Sequence, residues 1–147
     1  MPMIEIWDGG VRLGDLLKAV AATDDLKWSI MEFWGVARDD SIDVVAIEDQ
    51  AAGSPTGLEL SVTQLRELAS QMLQVVDGIV VGYRNDPPTR ADADLRASGE
   101  VVIEAIDSTF WRIYADDRAI VDAVRDVYDD VRTIEPEIAL PPVHAES

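Results

Sequence analysis

The chain has 147 residues, of which 48% are hydrophobic, so it is long enough for one domain and can bury a core of its own. Its 29 acidic and 12 basic residues give a net charge of −17, and a field of that sign repels phosphate backbones and anionic lipids. Nucleic acid and membrane are therefore excluded as expected partners, and the absence of cysteine excludes disulfides and thiolate chemistry.

The first third of the sequence predicts a strand, a helix and a hairpin. The strand pattern "MIEIW" precedes a helix on which Leu13, Leu16 and Leu17 share one face. The segments "LKWSIMEFWGV" and "SIDVVAIED" are rich in β-branched and aromatic residues, so they predict a β-hairpin that turns at "ARDD". The segment "QAAGSPTG" is then predicted to be a loop.

The rest of the sequence predicts two more helices and three strands. In "SVTQLRELASQM", Ser61 and Gln64 match a capping box at the start of a helix. The strand "DGIVVGYR" precedes the polar loop "NDPPTRADADLRAS", and two strands surround the motif "DST". The last helix is predicted to carry one apolar stripe, formed by Ile120, Val124, Val127, Tyr128 and Val131.

This order of elements predicts an α+β fold. We expect a single-layer, mainly antiparallel sheet of about five or six strands with about three helices packed on one face. Residues 1–135 form the one predicted domain, and the proline-bearing residues 136–147 form a loosely ordered tail.

The strands on either side of residues 107–109 can pair in two registers. A loop of odd length places Glu104 opposite Arg112 and leaves one face of the hairpin without charge. A loop of even length would strand each charge among apolar side chains, which is unfavourable for an unpaired buried charge. We therefore predict the odd register, with "DST" as a turn, because these side chains readily bond nearby backbone groups.

Groups able to carry out catalysis are few. Ser108 would need a base within reach, and the one histidine, His144, lies in the tail. Zinc lacks its usual ligands, and the spacing of Asp92, Asp94 and Glu100 does not match a calcium-binding loop. The glycines of "WDGGVRLGDLL" lack the spacing of a phosphate-binding loop. We predict no catalytic residue, metal or cofactor, so a chelator should leave thermal unfolding unchanged.

One carboxylate is placed where it could be buried. Glu32 falls on the predicted strand face that carries Trp28 and Trp34, which would make it a candidate for paired-carboxylate catalysis. A β-bulge or an edge position that exposes Glu32 to solvent explains the same pattern and is the favoured interpretation.

The tryptophans and the acid-rich segments indicate a binding surface. Trp28 and Trp111 are expected in the core, whereas Trp34 lies near the end of its strand beside acids, as an interface anchor does. The predicted partner-binding residues combine this tryptophan with carboxylates expected on the surface: Trp34, Asp39, Asp40, Asp43, Glu48, Asp49, Asp92 and Asp94.

Three functions remain open. The first is a non-enzymatic acidic binding protein, such as an immunity- or antitoxin-type inhibitor of a basic nuclease toxin. The second is a small-molecule-binding or carboxylate-based enzyme domain with a pocket on the outer sheet face around Glu104, Arg112 and Tyr114. The third is a structural subunit of a larger assembly. The scarcity of catalytic groups favours the first.

The types of basic residue and the start of the sequence also bear on the interpretation of charge and location. Only Lys18 and Lys27 are lysines and the other basic residues are arginine, so GC-rich coding or adaptation to high salt also explains the acidity. The start "MPMIEIWDGG" shows no signal peptide, and no apolar run approaches the roughly 18 residues of a membrane span, so a cytoplasmic location is expected.

Overall fold

The computed structural model describes residues 3–20, 25–89 and 99–134, and these form one antiparallel sheet with four helices. In chain order the elements are β1 (Met3–Ile6), α1 (Leu13–Ala19), β2 (Lys27–Ala37), α2 (Val44–Ala52), β3 (Leu58–Leu60), α3 (Val62–Ser70), β4 (Met72–Tyr83), β5 (Val101–Ile106), β6 (Phe110–Ala115), α4 (Arg118–Val127) and β7 (Val131–Ile134). The predicted α+β class is confirmed, with seven strands and four helices in the described residues rather than about five or six strands and about three helices.

The strands lie in the order β3-β2-β4-β5-β6-β1-β7. All four helices contribute to one core with one face of the sheet, through buried residues such as Leu16, Ala51, Leu65 and Val124. The opposite face, which we call the outer face, has a smaller buried cluster of its own: Met3, Met31, Val81, Val102 and Tyr114. The sheet therefore has apolar side chains on both faces, and polar sites on the outer face are interspersed with them.

The predicted register of the hairpin β5–β6 is confirmed. Glu104 pairs with Arg112, and Ile106 pairs with Phe110, so the loop comprises residues 107–109. The uncharged face of this hairpin lies in the main core, as the register argument requires: Val101, Ile103, Ala105, Trp111, Ile113 and Ala115.

The predicted hairpin between β2 and residues 41–49 is wrong, because residues 44–52 form helix α2. The Asp43 side chain accepts a hydrogen bond from the Ala46 N–H at 3.1 Å and so caps the helix. Val44 and Ile47 pack against the core, and Ala51 is buried within it. Spacings of three and four residues match a helix face, and this packing overrides the β-propensity of Val44, Val45 and Ile47.

Two short strands were also missed. β3 follows the predicted loop and pairs with Trp28, Ser29 and Ile30 of β2. Helix α4 ends at Val127, so Val131 does not continue its stripe but begins β7, which pairs with β1. Both strands are too short to show a clear alternation of polar and apolar residues.

A β-bulge in β2 determines which side chains reach the outer face. Ile30 pairs with Val80 and Glu32 with Ile79, so Met31 is the extra residue. Trp28 consequently lies in the main core with 0% exposure, whereas Glu32 and Trp34 are exposed. The favoured interpretation of Glu32, a bulge that exposes it to solvent, is confirmed.

Candidate functional site

Trp34 lies on the outer face of the sheet with 44% of its surface exposed. Its strand partner in β4 is Asp77, and it shares a depression of about 440 Å³ with Glu32 and with Glu48 of helix α2. The bulge at Met31 turns Glu32 and Trp34 outward together, while the Asp43 cap fixes the start of the helix that carries Glu48. An exposed indole is therefore surrounded by three carboxylates from three elements.

A further apolar side chain extends this surface along β2. Val36 is 49% exposed and lies two residues beyond Trp34 on the same strand. It pairs with Gln74 of β4. We call the set Glu32, Trp34, Val36, Glu48 and Asp77 the Trp34 surface. Large exposed apolar residues within an acidic rim are characteristic of protein interfaces.

The remaining predicted partner-binding residues lie mostly in the connection between β2 and α2. Asp39, Asp40, Asp43 and Asp49 are all exposed. Asp39 accepts hydrogen bonds from Ser41, including one from its N–H at 2.8 Å, and these bonds lower the pKa of Asp39. Asp39 and Asp43 thus have local structural roles in addition to their charge.

The structure brings together only part of the predicted set. Trp34 and Glu48 line one depression, and its other carboxylates, Glu32 and Asp77, were not among the predicted partner-binding residues. Glu32 had been considered only as a candidate for catalysis. Asp77 could have been suspected as the one charged residue of β4. Asp92 and Asp94 lie outside the described residues.

The alternative pocket on the outer face is an ion-pair network. Arg112 lies between Glu5 of β1 and Glu104 of β5, with Nη2 3.1 Å from Glu5 Oε2 and Nη1 3.6 Å from Glu104 Oε1. Burial opposes the charge of Arg112, but its hydrogen bonds with Glu5 and Tyr114 and the charge of Glu104 raise its pKa overall. Tyr114 is only 4% exposed. These contacts neutralise the buried carboxylate of Glu5, which sequence reasoning had not included.

Aromatic and cationic groups continue the network toward β7. Trp7 stacks on Phe110 with ring centroids 4.3 Å apart, and its Nε1 donates to Glu5 at 3.0 Å. The Arg132 guanidinium lies 4.4 Å from the Trp7 ring, and Asp130 accepts hydrogen bonds from it at 3.1 Å. The Arg112 guanidinium likewise lies 5.4 Å from the centroid of the Phe110 ring. Arg112 and Arg132 therefore each contact an aromatic ring and a carboxylate, and these contacts help to hold the strands together.

The motifs "WDGG" and "DST" meet at a cleft of about 260 Å³ between the β1–α1 loop, β4 and the β5–β6 turn. Asp107 and Ser108 have φ of 50° and 60°, and the Thr109 N–H closes the turn on the Ile106 carbonyl at 2.8 Å. Positive φ at both central residues is the geometry of a type I′ hairpin turn.

Strand β4 holds this turn in place. The Ser108 N–H donates to the Val76 carbonyl at 2.9 Å, and the Asp107 N–H donates to Asp77 Oδ1 at 2.9 Å. The Ser108 hydroxyl accepts from the Gln74 amide at 2.9 Å, so its neighbour is an amide and not a general base. These hydrogen bonds are consistent with the prediction that "DST", residues 107–109, is a turn.

No group of three or more His, Cys, Asp or Glu side chains in the described ranges is placed to hold a metal ion. None of the helices in that part of the chain has the length and apolar character needed to cross a membrane.

Comparison with known proteins gave no relative: no family model, curated protein or solved structure matches the chain.

Proposed function

We propose that this domain is a non-enzymatic binding protein whose Trp34 surface covers a basic region of a protein partner, in the manner of an immunity- or antitoxin-type inhibitor of a nuclease toxin. The observation that carries the proposal is the exposure of Trp34 among the carboxylates of Glu32, Glu48 and Asp77. We expect this encounter in the cytoplasm.

The arrangement matches the common organisation of protein interfaces, in which an apolar centre is surrounded by a polar rim. A tryptophan that loses its exposed surface on binding supplies a large apolar contact at the centre. Val36 widens that contact. The carboxylates around it attract a cationic partner and reject an acidic one, and the net charge of −17 extends this attraction to longer range.

The carboxylates around Trp34 indicate which charged groups the partner must present. The three carboxylates that surround Trp34 would be desolvated on binding, and this is unfavourable unless each meets a cation. Arginine and lysine side chains of a nucleic-acid-binding protein supply such cations. Covering them would also block that protein's own substrate, which is how an inhibitor of a nuclease acts.

Site-specific photo-cross-linking in cells of the source organism tests the proposal. A photoreactive residue replaces Val36 in the Trp34 surface, and a control carries it at Val127 of α4, which is 58% exposed. We expect a basic protein to cross-link from position 36 and not from 127, and the cross-link to be lost in a Trp34→Ala background. Equal cross-linking from both positions, no product specific to position 36, or a product that is an acidic protein would contradict the proposal.

A further inference from the structure

A second surface has the opposite charge. A groove of about 280 Å³ between α1 and α3 is lined by four basic side chains: Arg12, Lys18, Arg38 and Arg66. The other lining residues are Gly14, Asp15, Ala69 and Ser70, so one carboxylate faces four cations. The groove is narrow at its helix contact, since a Cβ at Gly14 would lie 3.9 Å from the Ala69 Cβ.

This concentration of positive charge contrasts with the acidic composition of the chain. Acids outnumber bases by 29 to 12, and a third of the bases line this one groove. Three basic side chains outside the groove, in contrast, form ion pairs with acids, as Arg84 does with Asp25 and Arg132 with Asp130. Grouping like charges is unfavourable unless a counter-charge is bound, so the groove is suited to an anion.

Helix dipoles do not fully explain why these basic side chains lie together in the groove. Lys18 lies in the last turn of α1 and Arg38 contacts the end of α3, where cations are favoured. Arg12, however, precedes the first turn of α1, where a cation is disfavoured. The helix dipole therefore does not account for Arg12.

The Arg38 side chain is held in place by a hydrogen bond to the end of α3. Its backbone N–H donates to the Gln71 carbonyl at 2.9 Å, and its Nε donates to the Ser70 carbonyl at 2.9 Å. Within the described part of the chain, this Nε contact is the only hydrogen bond that its guanidinium makes, so the two terminal nitrogens can donate to an anion. A guanidinium fixed in advance loses little conformational entropy on binding.

We propose that this groove binds a small phosphorylated ligand, with its phosphate groups held by Arg12, Lys18 and Arg38. Guanidinium groups bind phosphate oxygens in pairs, and lysine adds a point charge. The volume lies just below the roughly 300 Å³ at which pockets for drug-sized ligands begin, which favours a compact ligand. The overall charge of −17 disfavours a long polyanion such as RNA. The site is independent of the Trp34 surface.

Titration of the full-length protein with sodium pyrophosphate, followed by ¹⁵N–¹H NMR at constant ionic strength, tests this site. We expect saturable shifts of the amides of residues 12–18 and 66–70, which sodium chloride does not reproduce. In the double variant Arg12→Gln/Lys18→Gln, the Kd for pyrophosphate should rise about tenfold or more. The matched variant Lys27→Gln/Arg118→Gln removes the same charge elsewhere and should leave the Kd unchanged.

Three outcomes would overturn the proposal. Shifts that sodium chloride reproduces would show only a general salt effect. Equal weakening by the two double variants would show that net charge, and not the groove, determines binding. Sedimentation velocity on the same samples reports the third outcome. If Arg12→Gln/Lys18→Gln abolishes a dimer instead of the pyrophosphate response, the groove is occupied by the acidic surface of a second copy.

Discussion

Gly57 packs closely against the bulge in β2. Its φ is +74°, and a Cβ there would lie 2.4 Å from the Ile30 carbonyl oxygen and 2.7 Å from Met31 Sδ. The Ser29 hydroxyl also donates to the neighbouring Thr56 carbonyl. The backbone at Gly57 thus packs directly against the bulge that turns Glu32 and Trp34 outward. No side chain can occupy this position without displacing β2.

Gly57→Ala and Gly10→Ala form a matched pair, since Gly10 has φ of +73° and nothing within 4 Å of an added Cβ. Gly10→Ala should lower the free energy of unfolding by about 1 kcal/mol through backbone strain alone. Gly57→Ala should cost about 3 kcal/mol or more, because the steric clash adds to that strain. Urea unfolding measures both, and equal losses would refute the proposed packing of Gly57 against the bulge.

The hydroxyl of Tyr128 is buried and has no hydrogen-bond partner among the described residues. Burial, followed by the charges of Asp15 and Asp8, raises the pKa of Tyr128 to about 12. The unfolded state then ionises first as pH rises from 10 to about 12, so the folded state binds more protons and stability falls over this range. Below pH 10 the hydroxyl is neutral in both states and this effect is absent.

Tyr128→Phe removes the titrating group and keeps the ring. We expect the urea midpoint of the variant to fall less than that of the wild type between pH 10 and about 12. A smaller decline should remain, because burial and Glu59 also raise the pKa of Tyr83. At neutral pH the variant should be at least as stable, since the lost hydroxyl had no partner. Identical declines in the two proteins would show that Tyr128 ionises normally.

At the scale of single elements, α2 connects stability to the candidate site. It begins at the Asp43 cap and carries Glu48 to the side of Trp34. Reversal of Asp39, Asp40 and Asp43 to lysine would be a test of the acidic segment in partner binding. The cap makes Asp43 unsuitable for such a test, because its loss unsettles the helix itself.

Asp43→Ala should lower the free energy of unfolding by about 1 kcal/mol, the usual cost of a lost N-cap. Asp43→Asn retains an oxygen that can accept from the Ala46 N–H and should restore most of the stability. Thermal and urea unfolding give the comparison. If Asp43→Ala and Asp40→Ala are equally mild, the cap contributes nothing and α2 is held by its apolar contacts alone.

The elements also show why some of the fold could be predicted and some could not. The hairpin β5–β6 was predictable because a wrong register would separate Glu104 from Arg112 and bury both charges. Helix α2 was not, because Val44, Val45 and Ile47 favour strands locally and only the packing of Val44, Ile47 and Ala51 selects the helix.

The candidate site was only partly predictable for a related reason. Exposure of Trp34 depends on the bulge at Met31, against which Gly57, distant in the sequence, is packed. Asp77 joins Trp34 only through the pairing of β2 with β4. Local sequence patterns do not reveal such contacts, so the predicted partner-binding set contained Trp34 and Glu48 but not Glu32 and Asp77.

At the scale of the whole molecule, two surfaces differ in the sign of their charge. The Trp34 surface combines exposed apolar groups with carboxylates, and the α1–α3 groove gathers a third of the basic side chains. A uniformly acidic composition, produced by coding bias or high salt, would not separate the charges in this way. The distribution therefore favours two binding functions over acidity that serves solubility alone.

The central claim is that the Trp34 surface attracts and anchors a basic partner. Reversing Glu32 and Glu48 to lysine tests attraction, because neither side chain makes a hydrogen bond or ion pair with another described residue. The variant Asp122→Lys/Asp126→Lys on α4 is the matched control for the change in net charge. Trp34→Ala tests the anchor.

The most direct measurement is the rate of association and dissociation of the partner identified by cross-linking, over a series of sodium chloride concentrations. The Glu32 and Glu48 reversals should slow association about tenfold or more and flatten its salt dependence, well beyond the α4 control. Trp34→Ala should raise the dissociation rate about 30-fold, equivalent to about 2 kcal/mol. If the two charge-reversed variants associate at the same rate and Trp34→Ala dissociates like the wild type, the Trp34 surface is not the binding site.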